Sequence, residues 1–318
     1  MATSDTPIRI LPNELLSNIL SSLSTKDLLS VVTVSHLFCS LATRILHRRL
    51  VSAASLPDNQ AILECYHPSA KISTPYLACR YLGTAVCDGH AIDEQNPRFE
   101  HLRKLYSCFR PVVMEENRRA RFRYGWSSQT LAGSSQLQIA AEDEVADEAA
   151  HQEVYLDEGE RFSQLCTVTN VVTQGSRPGL FTRHINVSDG VIRVFRDWLA
   201  SMLERPSSSL RSGVSSSSSS SSSNPVAVTA ATLANSGGFT SDDSRVLWVD
   251  STKDVGLRFR VLPGPEVRGT IFEDEPPVFY NLIYEELIVR TSTLLMAVEE
   301  AADEDVSHSG KDIIIAAM

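Results

Sequence analysis

The stretch ILPNELLSNILSSLSTKDLLSVVTVSHLFCSLATRILHRRL, residues 10–50, decides the reading of this chain, because its apolar spacing and turn residues describe three short packed helices and no catalytic pattern. The first helix is expected to begin at Leu11-Pro12, since proline at the first helical position gives up an amide that has no intrahelical partner and brings its φ already set. Glu14 puts a carboxylate near the positive end of the helix dipole, and Leu15, Leu16, Ile19, Leu20 and Leu23 recur at helical spacing as one wide apolar stripe. Ser24-Thr25-Lys26-Asp27 ends that helix and offers a Ser-x-x-Asp cap to the next, which carries Leu28, Leu29, Val31 and Val32. Ser35 is expected to cap a third helix. There Phe38, Leu41 and Ile45 share a face, and Arg44, His47, Arg48 and Arg49 make a basic end suited to the negative helix C-terminus.

Three helices of this length bury little surface alone. Their fully apolar stripes imply either a partner that covers what the bundle leaves exposed or packing against the rest of the same chain. The residue identities bear on that choice. Leu11, Pro12, Glu14, Leu15, Leu16, Ile19, Leu20, Leu23, Asp27, Leu28, Val34, Ser35 and Phe38 stand in the register of a known pattern, and the segment resembles the F-box. The F-box proteins it resembles are those of the fungal type. The resemblance covers the first fifty residues, and it departs at Phe38, where many relatives carry tryptophan. It implies a non-catalytic subunit that docks on the Skp-type adaptor of a cullin-RING ubiquitin ligase, with the remainder of the chain recruiting a protein substrate. The adaptor-binding residues implied are Leu11, Pro12, Leu15, Leu16, Ile19, Leu20, Leu28, Val31, Val34 and Phe38.

A length of 318 residues suits this small module plus one larger domain. A net charge of -10 argues against a nucleic-acid partner, which needs a clustered basic surface. The one dense basic run beyond the helices, Arg118, Arg119, Arg121 and Arg123, alternates with Phe122 and Tyr124 as the solvent face of a strand would. No apolar stretch reaches the roughly 18 residues of a membrane span, so no membrane partner is expected and the location implied is cytoplasmic, nuclear or both. The 6 cysteines include no Cys-x-x-Cys pair, which fits free thiols in a reducing compartment. The sequon at Asn186-Val187-Ser188 then carries no glycan.

The fold class expected is α+β: a three-helix module at 8–50, a linker at 51–75, and a β-rich recognition domain at 76–302 that is mostly antiparallel and sandwich-like, ending in a flexible tail at 303–318. Tyr81 to Val86, Arg121 to Trp126 and Phe162 to Val172 are rich in aromatic and β-branched residues and read as strands. Residues 140–160, AAEDEVADEAAHQEVYLDEGE, read as a solvated acidic loop without the glycine turn and ligand spacing of a calcium site. Phe181 to Val187 suits a strand. Val191 to Leu203 suits an amphipathic helix, with a strand through Val194 as the alternative. Residues 204–243 hold 9 consecutive serines, Ser215 to Ser223, and read as a disordered insertion whose closure adds little entropy cost. Residues 245–261 alternate on both sides of Ser251-Thr252-Lys253-Asp254, a hairpin signature. Val278 to Arg290 reads as an interior strand, followed by a helix with Leu294, Leu295 and Val298 inward.

Chemistry is sparse. The sequence has no Gly-x-Ser-x-Gly elbow, phosphate loop, dinucleotide fingerprint or His-Glu-x-x-His. Cys65-x-His67 and Cys87-Asp88-Gly89-His90 lack a second pair at ligand spacing, so neither a metal nor any other cofactor is expected. Trp198 and Trp248 suit core packing, whereas Trp126, after Tyr124-Gly125 at a strand end, is the one candidate for a substrate-recognition surface. Two readings stand: an adaptor presenting the β domain to a protein substrate, or a β domain that is a lectin-like or small-ligand-binding module attached to the F-box. Exposed aromatics on a concave face with paired Asp or Asn would favour the second.

Overall fold

Residues 11–57, 59–71, 74–87, 97–114, 150–175, 180–204, 243–265, 276–307 and 315–316 are described by a computed structural model. The first three helices are α1 (Asn13–Ser21), α2 (Thr25–Val31) and α3 (His36–Ala54). Their starts follow the capping residues. Ser24 Oγ accepts from the Asp27 amide at 3.1 Å and donates to the Asp27 carboxylate at 2.7 Å, and Ser35 Oγ accepts from the Phe38 amide at 3.3 Å. Pro12 differs from expectation. It is the N-cap of α1, with φ -57° and ψ 147°, and its carbonyl takes the amides of Leu15 and Leu16 at 3.1 Å. A proline there is compatible with the helix because it is the carbonyl that is used.

No linker follows α3. Ser55 caps it, and Leu56 then adopts a left-handed backbone, φ 46°, with its side chain buried in the core of the β domain. Burial of a large apolar group holds a conformation that an L-residue otherwise avoids. The chain passes directly into β1 (Asn59–Tyr66), which lies between β2 (Leu77–Val86) and β5 (Phe162–Gln174). The expected linker at 51–75 is thus corrected over 51–66, while the 3-10 turn at Pro68–Ala70 agrees with it. Residues 51–54 finish the helix, and the alternation of Ala61, Leu63 and Cys65 inward against Gln60 and Glu64 outward makes 59–66 a central strand.

The remaining elements are α4 (Phe99–Leu102), β3 (Leu105–Val112), β4 (His151–Leu156), β6 (Leu180–Phe195), α5 (Arg196–Leu203), β7 (Val246–Trp248), β8 (Val255–Pro263), β9 (Val278–Arg290), α6 (Thr291–Ser307) and β10 (Ile315–Ala316). All pairings are antiparallel, in the order β10-β6-β5-β1-β2-β3-β9-β8-β7, with β4 also paired to β9. The expected α+β class with a mostly antiparallel β domain is what the structure has, and the β domain is one curled sheet. Its far ends meet: a Cβ at Gly190 of β6 would strike the Val249 side chain just beyond β7. Trp198 Nε1 donates to the Ser244 carbonyl at 2.7 Å, and Arg196 donates to the carbonyls of Glu160, Asp157 and Pro276 at 2.9, 2.7 and 2.8 Å. Phe109, Phe259, Leu63, Leu165, Leu257, Leu282 and Leu287 fill the interior.

Three more expectations change. Residues 151–156 lie inside the stretch read as an acidic loop, yet form β4, because Val154 and Leu156 face the core while Glu153 and Tyr155 face out. The strand alternative holds for Val191 to Phe195, and the helix begins only at Arg196. At the far end, α6 continues to Ser307 and Ile315–Ala316 pairs with β6, so the tail at 303–318 is not uniformly free. Residues 301–305 contain no helix breaker. The hairpin, the 278–290 strand and the inward Leu294 and Leu295 agree with expectation. The expected strand at 121–126, Trp126, residues 140–149 and residues 205–242 lie outside the described residues.

Candidate functional site

The helical stripe of α1 is wider than one interface needs, and the structure divides it. Leu16 and Leu20 are 4 % exposed and Leu28 is 0 % exposed, packed with Leu41, Ile45, Leu46 and Leu50 of α3. Leu15 and Ile19 lie one residue earlier on the same helix and are 49 % and 55 % exposed. A one-residue step turns a side chain about 100° around the axis, so paired leucines cannot both face inward. Leu11, Leu29, Val34 and Leu37 are also exposed, Val34 most of all at 67 %. Pro12 is exposed as well, while Val31 and Phe38 are partly buried against the helical core.

The residues expected to bind an adaptor therefore separate by position. Leu11, Pro12, Leu15, Ile19 and Val34 stand at the surface. Leu16, Leu20 and Leu28 are corrected to core residues of the module, because α3 and the β domain already cover them. Leu29 and Leu37 belong to the exposed set and were not singled out from sequence; the adjacency of Leu28 and Leu29 on a helix was the signal available. Of the two ways of covering these stripes, packing against the rest of the chain accounts for one side. Val86, Leu102 and Leu105 of the β domain and Leu295 of α6 join the helical core on one side, and the other side stays open.

Arg49 of α3 organises the turn between α1 and α2. Its Nη2 donates to the carbonyls of Ser21 (2.9 Å) and Leu23, and its Nη1 to Thr25 Oγ1 (3.0 Å) and Glu299 Oε1 (3.3 Å). Nothing in the sequence relates Arg49 to Glu299, which is 250 positions away.

Elsewhere the reactive side chains are quiet. Cys65, Cys79, Cys87 and Cys108 are buried, and Cys39 and Cys166 are intermediate. Burial pushes the Cys65 thiol from 9.0 up to about 11, against the neighbouring Tyr284 and Thr167 hydroxyls, which lower it, and pushes Cys108 up to about 12. Thiols held protonated in this way are poor nucleophiles. No group of three or more His, Cys, Asp or Glu suited to a metal occurs among the described residues. On the outer face of the sheet, Phe162 and Phe195 face each other across β5 and β6 with ring centroids 5.6 Å apart, and the Arg193 guanidinium lies over the Phe162 ring. Trp248 is half-buried against Tyr106, and Trp198 of α5 is half-buried against the core of the β domain.

No helix among the described residues is long and apolar enough to cross a membrane. No curated protein and no solved structure matches the chain. An F-box-like family model matches residues 8–53, the three helices whose burial and exposure have been traced. Members of that family are in general non-catalytic adaptor subunits of ubiquitin ligases, and residues 8–53 of this chain are an F-box-like domain.

Proposed function

We propose that this chain recruits a protein substrate to a ubiquitin ligase by docking Leu11, Leu15, Ile19, Leu29, Val34 and Leu37 on a Skp-type adaptor, which carries the cullin and RING subunits. The observation that supports it is the exposure of six large apolar side chains on a module whose opposite face is already buried. Large apolar side chains left in water on so small a module are costly, and where they gather they are characteristic of interaction sites. The β domain presents the substrate, in the cytoplasm, the nucleus or both, without nucleic acid or membrane as partner.

Protein recruitment is favoured over the lectin-like alternative by the way the sheet is filled. Its interior is occupied by packed aromatic and leucine side chains, so a recognition surface has to lie on the outside. There the Phe162–Phe195 pair with Arg193 has the aromatic and arginine composition that protein interfaces favour. Purified full-length chain mixed with adaptor, cullin and RING subunits should elute as one stoichiometric complex. Separate elution of a folded chain would reject the reading.

A further inference from the structure

We propose that the C-terminal helix α6 completes the docking module, with Glu299 as a positioning residue that fixes the α1–α2 junction. The proposal builds on the adaptor reading but makes a separate structural claim. Glu299 accepts from Thr25 Oγ1 at 2.6 Å through one carboxylate oxygen and from the Thr25 amide at 3.3 Å through the other. Thr25 is the first residue of α2 and is 5 % exposed. Its hydroxyl donates to Glu299 and accepts from Arg49, which in turn holds the carbonyls that end α1. The Arg49–Glu299 pair thus puts a cation at the negative end of one docking helix and an anion at the positive end of the next. The two side chains are only 22 % and 30 % exposed, so their hydrogen bonds are partly shielded from competing water.

A second contact on the same face of α6 agrees. Leu295, one turn before Glu299, is 6 % exposed and belongs to the helical core with Leu16, Leu20 and Leu28. A strand-derived wall, Val86 and Leu105, backs that core. The exposed Leu15 and Ile19 on α1 and Leu29 on α2 are therefore presented at an angle set by Glu299, which is 274 positions beyond Thr25. The F-box of this chain is not an autonomous bead on a string, and substrate domain and docking face move as one body.

The test uses the full chain with Glu299→Ala, Glu299→Gln and Arg49→Met, read by amide hydrogen exchange and by titration with a purified Skp-type adaptor. Glu299→Ala should speed exchange in the peptide spanning residues 21–32 by about five- to tenfold, the loss expected for a removed cap, while β1, β5 and β9 keep their protection. Glu299→Gln, which keeps an acceptor but not the charge, should fall between Glu299→Ala and wild type. Adaptor affinity should weaken by a similar factor, and the Glu299→Ala, Arg49→Met double variant should be no weaker than the worse single one. Unchanged exchange at 21–32, a uniform rise across the whole chain, additive losses, or faster exchange with undiminished affinity would each overturn the proposal. Failure of the wild-type chain to bind the adaptor would sink the adaptor reading instead, and the exchange measurement would still decide whether α6 holds the junction.

Discussion

Leu15 and Leu16 are neighbours in sequence with opposite surroundings, 49 % and 4 % exposed, and they separate docking from folding. Leu16→Ala removes a buried side chain and leaves a cavity, so chemical denaturation should show a loss of about 2–5 kcal/mol. Leu15→Ala should leave stability within about 0.5 kcal/mol, as expected of a surface substitution, and act on adaptor affinity alone. The buried thiols give a second prediction at this scale. Cys65 and Cys108 are raised on folding, so the folded chain holds their protons more tightly than the unfolded one. Their contribution is fully present below the unfolded thiol pKa and is lost as pH rises through the folded values. Stability measured by denaturant titration should accordingly decline from pH 9 toward pH 11–12. In native protein at neutral pH, a thiol reagent should modify Cys39 and Cys166 before Cys65, Cys79 or Cys108.

At the scale of elements, legibility followed periodicity. Residues 245–261 and 278–290 alternate cleanly, and the structure makes of them the β7–β8 hairpin and β9. Within the hairpin, Trp248 sits opposite Gly256, and a Cβ there would come within 2.7 Å of the indole ring. Gly256→Ala should therefore lower stability by about 1–3 kcal/mol through overpacking, seen as a lower midpoint of thermal unfolding. β1 was hidden because Pro57 and Pro68 bracket it and suggest a linker, whereas Ala61, Leu63 and Cys65 face the core and Ile62 is buried on the opposite face. β4 was hidden by its acidic neighbours, since the composition of a 21-residue window outweighed the Val154, Leu156 alternation inside it. The helices of the F-box were legible in position and caps. Which half of each stripe would be covered was not, because that depends on α6 and on β2, elements remote in sequence.

For the molecule as a whole, the single curled sheet makes distant segments depend on one another. β9 holds β3, β4 and β8 together, and Tyr280, Leu282, Tyr284, Leu287 and Val289 of that strand are buried. A chain ending at Gly264 lacks β9 and α6 together, and each large side chain left without its partners forfeits roughly 1.5–3 kcal/mol of burial. Such a fragment should aggregate on expression, and a soluble fragment with a cooperative unfolding transition would argue against the one-sheet architecture.

The account as a whole turns on the open face of α1 and α2 being a docking surface, and calorimetric titration of the full chain with a purified Skp-type adaptor tests this most directly. Wild type should bind with one-to-one stoichiometry. A Leu15→Ala, Ile19→Ala variant with an unaltered melting temperature should lose about 2–4 kcal/mol of binding, the range for truncated central anchors. A folded wild-type chain that takes up no adaptor, or a double variant that binds as tightly as wild type, would contradict it.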